Sequence, residues 1–300
     1  FNTPHEIAPF SKITTDNYRE AYLLGMEEAK KEIDAIVNNP EAPTFENTIV
    51  ALDCSGSLLR RTAGVFGGLS RSCSTPEYQQ LESELSPLLS AHSDYINMNE
   101  ALFKRVKAVY DQQASLNLNT EQKRLLDKTY KGFVRGGALL DKAQKQRLSE
   151  INLQLAKLQL QFTQNLMHDT NQSYVTVDNI SDLEGLSEGD IQKAAALAER
   201  TGAKGKYRFN MQRPSCTPVL QDAKNRERRR QVYEMYNNRC NHNDQYDNKA
   251  ISAQIVALRL EEAKLMGYNT FADMQLETRM AKKPENVYNL LDQIWKPAVE

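Results

Sequence analysis

Apolar residues recur along this chain at three- and four-residue intervals, separated by capping and stop signals, so the pattern predicts helices over most of its length. Asp16 to about Val37 follows Thr14-Thr15 and stops at Asn38-Asn39-Pro40, where proline cannot continue a helix. Thr44 is placed to cap a second helix whose apolar positions are Ile49, Leu52 and the Leu58-Leu59 pair. Thr75-Pro76-Glu77 reads as an N-cap, a proline at the first helical position and an acid in the first turn, and Pro87 should kink or end that helix. Asn99 caps Glu100–Tyr110, with Leu102, Val106 and Val109 on one face.

The clearest element runs from about Asp141 to Met167, where Leu148, Ile151, Leu155, Leu158, Phe162 and Leu166 form an apolar stripe between charged and amide faces. At about 1.5 Å per residue such a helix extends roughly 40 Å and packs along much of its length. The same stripe could seam a dimeric coiled coil, but it falls short of the roughly three to four heptads such seams sustain. Between about Ser173 and Met211 the period changes. Tyr174-Val175-Thr176-Val177 and Tyr207-Arg208-Phe209-Asn210-Met211 are short, β-branched or aromatic and partly alternating, and they flank a small helix, Glu188–Glu199, capped by Ser187. The two strands are expected to pair. Helix resumes from Thr217-Pro218 to about Arg239, again from Asp244 to a glycine C-cap at Met266-Gly267, in a short helix that Thr270 to Asp273 begins, and finally from Lys283-Pro284 through Val287, Leu290, Leu291, Ile294 and Trp295. This last pattern is still running at Glu300, which suggests an unfinished domain.

Composition narrows the classes. Only 13 glycines and 10 prolines in 300 residues argue against a turn-rich β fold. Thirty-eight basic against 39 acidic side chains leave a net charge of −1, which gives no electrostatic reason to expect nucleic acid or an acidic membrane as partner. No apolar run approaches the roughly 18–20 residues of a transmembrane segment. A cytoplasmic home is expected; because the chain opens at Phe1 rather than Met, a periplasmic or exported home is the alternative if a signal peptide was removed upstream. Cys54, Cys73, Cys216 and Cys240 have no C-x-x-C spacing and read as reduced thiols, with a single disulfide as the alternative in an exported protein.

No catalytic motif emerges. A zinc-peptidase helix needs H-E-x-x-H, which puts two histidines on one face and a glutamate beside the metal-bound water. The chain's His-Glu pair is His5-Glu6, and Pro9 stands where the second histidine would fall. His92, His168 and His242 are each alone on their segments and read as surface or hydrogen-bonded histidines. Cys240, His242 and Asp244 could sketch a metal cluster but lack a second pair with finger spacing. Gly202-Ala203-Lys204-Gly205-Lys206 lacks the first glycine and the Ser/Thr of a phosphate loop, with Arg200 and Tyr207 in those places. The run Arg226–Arg230 reads as a solvated or internally paired face, with binding of a substrate carboxylate or another part of the protein as the alternative. No catalytic, cofactor-binding or metal-ligating residue is therefore assigned.

Several strings nevertheless resemble the thimet oligopeptidase family of zinc metallopeptidases, and its bacterial peptidyl-dipeptidases in particular. They are Asn39-Pro40-Glu41-Ala42-Pro43-Thr44-Phe45-Glu46-Asn47-Thr48-Ile49, Asn99-Glu100-Ala101-Leu102-Phe103, Phe133-Val134-Arg135-Gly136-Gly137-Ala138-Leu139-Leu140, Asn225-Arg226 with Arg229, Asp247-Asn248, and Leu265-Met266-Gly267-Tyr268 running into Met280-Ala281-Lys282. The resemblance is collinear over essentially the whole chain. It implies a mainly α, multi-helix lobe of a neurolysin/thimet-oligopeptidase-like fold with one two-stranded β element near 173–178 and 206–212. It also implies an amino-terminal helical bundle over 1–170, and helices over 171–300 leading toward a carboxy-terminal catalytic region. In that family zinc, its glutamate ligand and H-E-x-x-H belong to the carboxy-terminal half, the substrates are short peptides, and a half such as this one supplies a wall of the substrate channel. Zinc is then a cofactor of the full-length enzyme and not of this chain, which is expected to be inactive alone. The expected partners are short peptides and the catalytic half, with the chain itself a monomer. The competing reading is a stand-alone helical scaffold that binds peptides or proteins without cleaving them, whether original or left by loss of a catalytic half. The first reading predicts an exposed apolar surface, the second a polar, self-contained one.

Overall fold

The computed structural model describes residues 3–300, Glu6 by its backbone alone, so Phe1 lies outside the described residues. The elements follow in order as α1 (Thr15–Val37), a π-helical turn (Phe45–Val50) running into α2 (Ala51–Cys54), α3 (Ser57–Ser72), α4 (Pro76–Asn97), α5 (Glu100–Asp111), α6 (Thr120–Arg135) and α7 (Lys142–Gln172). After them come β1 (Tyr174–Val177), α8 (Glu188–Arg200), β2 (Tyr207–Asn210), α9 (Arg213–Asp222), α10 (Arg226–Asn237), α11 (Lys249–Leu265), α12 (Phe271–Leu276) and α13 (Pro284–Val299). The mainly α class with one two-stranded sheet is as predicted. No helix among the described residues is long and apolar enough to cross a membrane. The chain divides into two compact units, one made of residues up to 157 with 256–300 and the other of 158–255, so the boundaries fall within α7 and α11.

In the first unit, Thr14 and Asn17 close a reciprocal capping box that starts α1 where the sequence predicts. Ile33 and Ile36 of α1, Phe45 and Ile49 of the π turn, Leu102 and Val106 of α5 and Leu126 of α6 form one core. Tyr18, Tyr22, Phe66, Leu81 and Leu85 form another. Each fully buried aliphatic side chain in them contributes about 1.5–3 kcal/mol. A Cβ on Gly25 would lie 3.0 Å from the Leu59 backbone, so the small residue lets α1 and α3 approach closely.

One sequence expectation needs correction in this unit and a second is narrowed. The helix capped by Thr44 does not reach Leu58-Leu59: Ser55 leaves the helix, Gly56 takes φ 68, and both leucines belong to α3. Pro87 does not end α4, which continues to Asn97. Proline removes one donor to the ladder, but buried Leu81 and Leu85 precede it and buried His92 follows, so packing on both sides outweighs the lost bond. α6 is not among the expected helices, although Leu125, Leu126, Tyr130, Phe133 and Val134 recur along its apolar face and Asn119 and Gln122 form a reciprocal capping box at its start.

In the second unit, β1 and β2 pair antiparallel as predicted, with Tyr174 opposite Asn210 and Val177 opposite Tyr207. Val177, Leu183, Phe209, Val219 and Val232 form their core with the flanking helices. The segment predicted as one helix from Thr217 to Arg239 is two. α9 begins at Arg213 with Pro214 in its first turn and holds Pro218 inside. The chain then breaks at Ala223, and the Asn225 side chain accepts from the N–H groups of Glu227 and Arg228 to start α10. Asp244 does not open a helix either. Its carboxylate accepts from Tyr246 N–H at 2.8 Å, and that of Asp247 accepts from Lys249 N–H at 2.9 Å, side-chain turns that hold a loop until α11 begins.

The long helix is there: α7 has 31 residues, roughly 46 Å. Its buried positions are Leu148, Ile151 and Leu155, then Asn165 and Asp169. The buried line thus turns polar past Phe162, where the sequence stripe led through Leu166 instead.

Candidate functional site

The buried polar end of α7 gathers two of the residues the sequence singles out. Asp169 accepts from the backbone N–H of Cys240 at 2.6 Å, faces His242 Nε2 at 3.1 Å and accepts from Ser173 Oγ at 2.6 Å. Burial alone would raise its carboxyl, but the Ser173 hydroxyl, the Cys240 N–H and His242 together hold it below the ordinary carboxylate value. One turn earlier, Asn165 donates to the Asn248 side-chain oxygen at 2.9 Å, while Asn248 donates to the Phe162 carbonyl at 3.1 Å. The loop closes on itself through Asn248 N–H to the Cys240 carbonyl at 2.9 Å. Cys240 and Asn243 both stand at positive φ, 53 and 57, a conformation these bonds keep in place. His168 lies on α7 with its ring stacked on Tyr246, centroids 3.6 Å apart.

This arrangement is a latch rather than a reactive centre. Burial pushes the Cys240 thiol up to about 11, away from the thiolate that a nucleophile or metal ligand requires. Among the described residues no group of three or more His, Cys, Asp or Glu side chains could hold a metal ion. The residues present therefore do not fit a zinc centre, and no catalytic step is assigned to them. His92 is buried in α4, where desolvation lowers its basicity. His5 sits exposed in a short 3-10 turn, Pro4–Glu6. All four cysteines are free thiols.

Three of the four arginines of the basic run are engaged internally. Arg228 meets Asp182 at 2.8 Å, Arg230 bridges Glu227 and Glu234 on its own helix, and Arg229 donates to the carbonyl of Ala223 at 2.6 Å beyond the end of α9. Residues 202–206 form the turn into β2, with Lys206 paired to Asp178 at 2.7 Å.

The surface feature that stands apart is α13. None of its residues is buried, and Leu290, Leu291, Ile294 and Trp295 are 57%, 51%, 55% and 72% exposed. Their spacing of one, three and one puts them on one stripe of the helix, with Val287 a turn before and Val299 a turn after. About 100 Å² of apolar surface per side chain makes a patch of roughly 400 Å², the size of the largest apolar patch on a typical folded monomer, which is often functional. The sequence identifies these residues as a helix face; their exposure depends on what the rest of the chain offers to cover them.

Residues 219–300 match the profile of peptidase family M3. Over nearly its whole length the chain is similar to two bacterial dipeptidyl carboxypeptidases. That of Salmonella typhimurium is 34% identical over 295 residues, 98% of this chain and 43% of the relative. That of Escherichia coli is 33% identical over 97% of this chain and 43% of the relative. Oligopeptidase A of Escherichia coli is 29% identical over 99% of this chain and 44% of its own length. The resemblance read from the sequence strings is thus borne out, and the chain spans under half the length of these relatives.

Proposed function

We propose that this chain is the amino-terminal, non-catalytic part of a zinc-dependent oligopeptidase that releases dipeptides from the carboxyl end of short peptides. In this reading it forms one wall of the substrate channel, and residues 171–300 lead toward a catalytic region that carries the zinc ligands. The protein works as a monomer, and the chain alone does not cleave peptides. Similarity to dipeptidyl carboxypeptidases supports the reaction class. The observation that carries the reading is the bare apolar stripe of α13: a self-contained scaffold has no reason to leave Leu290, Leu291, Ile294 and Trp295 in water, whereas a lobe that meets more polypeptide does.

Trp295 is the chain's one tryptophan and sits on that stripe, so it reports the stripe's environment without a label. Acrylamide quenching of its fluorescence should be efficient in the 300-residue chain. In a longer chain that continues to the length of the relatives, sharply reduced quenching is expected, because the stripe is then covered. Equal quenching in both would overturn the reading in favour of a scaffold with an open face.

A further inference from the structure

A separate feature lies in the first unit, where α6 and the segment after α12 border a cavity of about 340 Å³. Arg124, Lys128, Lys131 and Arg135 line it from α6, at intervals of four, three and four that put all of them on one helical face. Arg279 and Lys282 line it from the segment after α12, and Lys282 takes a left-handed backbone conformation, φ 66. Like charges at these intervals repel, so a helix carries such a stripe at a cost unless anions offset it.

Two carboxylates face the cavity, and both are already engaged. Asp127 pairs with Lys131 at 2.9 Å. Glu277 pairs with Arg135 at 3.1 Å and accepts from the Tyr268 hydroxyl at 2.6 Å. Arg135 also donates to the Met274 carbonyl at 2.5 Å, which fixes the guanidinium in place. Arg124, Lys128, Arg279 and Lys282 have no carboxylate partner among the described residues. Four uncompensated cations thus converge on one concavity in a chain whose overall charge is −1. Local concentration of charge, not bulk basicity, is what sets this place apart.

We infer that this cavity binds a diphosphate group, either free or carried by a nucleoside diphosphate. A diphosphate brings about three to four negative charges in a compact unit, which matches four open cations, whereas a peptide carboxylate brings one. Arginine offers planar paired donors to phosphate oxygens and lysine a mobile point charge, and the cavity presents two of each. The site is distinct from the α13 stripe and does not depend on the proposed peptidase role.

Isothermal titration calorimetry with pyrophosphate, ADP, adenosine, citrate and an acidic peptide on the purified protein tests this. Saturable one-to-one binding of pyrophosphate that weakens as salt rises is expected, with none for adenosine. Comparable affinity for ADP identifies a site for the diphosphate alone, and tighter ADP binding adds the nucleoside. The double substitution Arg279→Gln/Lys282→Gln, and separately Arg124→Gln/Lys128→Gln, should each weaken binding about tenfold or more. All four side chains are exposed, so folding should persist, checked by an unchanged circular dichroism melt. Lys204→Gln/Lys206→Gln, in the turn into β2, should leave binding unchanged. Absence of saturable pyrophosphate binding, affinity in either cavity variant unchanged from the parent, or tighter binding of citrate or the acidic peptide would each overturn the assignment.

Discussion

At Asp169 a single change removes several bonds of the second unit at once. Its carboxylate, nearly excluded from water, holds the Cys240 N–H, the His242 ring and the Ser173 hydroxyl. Asp169→Ala strips all three bonds and leaves the Cys240 N–H buried without an acceptor. A hydrogen bond to a charged group is worth about 1.5–3 kcal/mol and an orphaned buried donor costs about 1–3 kcal/mol, and these overlap in part, so a loss of about 3 kcal/mol is expected. Asp169→Asn is milder. Its amide oxygen can accept from Cys240 while its NH₂ donates to Ser173 Oγ, which leaves a loss of about 1 kcal/mol. The two variants also separate in pH dependence. The folded carboxyl lies below its unfolded value of about 3.9, so its contribution is fully present above that pH and is lost as pH falls through the lower folded value. Asp169→Asn should flatten this part of the acid limb. Urea unfolding followed by circular dichroism at neutral and acid pH, with hydrogen exchange at the Cys240 and Asn248 amides, reads both effects. An Asp169→Ala variant within about 0.5 kcal/mol of the parent, with its Cys240 amide still protected, would refute the latch.

Other perturbations follow from single contacts. Gly185 stands at φ 101, and a Cβ there would lie 2.1 Å from the Asp222 carbonyl oxygen, so Gly185→Ala should cost about 3 kcal/mol or more in the same denaturation assay. Leu126 is fully buried in the first unit's core, and Leu126→Ala should cost about 3 kcal/mol by the lost transfer energy and the cavity left behind. Leu291→Glu with Trp295→Glu on α13 should leave the stability of the 300-residue chain within about 0.5 kcal/mol, since both side chains are in water, and should raise its solubility in a light-scattering titration.

The features legible in the sequence are those whose physics is local. Thr75, Asn99 and Ser187 cap the helices they were expected to cap, because a cap is settled within four residues. Tyr174–Val177 and Tyr207–Asn210 announce a pair of strands through β-branched and aromatic residues. Gly267 ends α11 in the left-handed conformation, with Tyr268 N–H reaching the Ala263 carbonyl at 2.9 Å. The misreadings arise where distant residues decide. By its own chemistry Pro87 should kink or end its helix, and of these the ending does not occur, because burial of Leu85 and His92 carries α4 past it. The polar end of α7 is invisible to a search for apolar stripes, because the loop that Asp169 and Asn165 hold lies more than 70 residues away. The sequence placed Cys240 and His242 near each other but could not supply Asp169, the group that makes them a latch. The cations on α6 were likewise overlooked, because they become a cluster only when the segment after α12 is brought beside them.

The most direct measurement is hydrolysis of a peptide with a blocked amino terminus, together with zinc content, on the 300-residue chain and on a longer chain that continues to the length of the relatives. If this chain is the non-catalytic part of a peptidyl-dipeptidase, the longer chain alone binds zinc stoichiometrically and releases carboxyl-terminal dipeptides. Zinc-dependent cleavage by the 300-residue chain would contradict that, and would turn attention to ligands among His92, His168, Cys240 and His242.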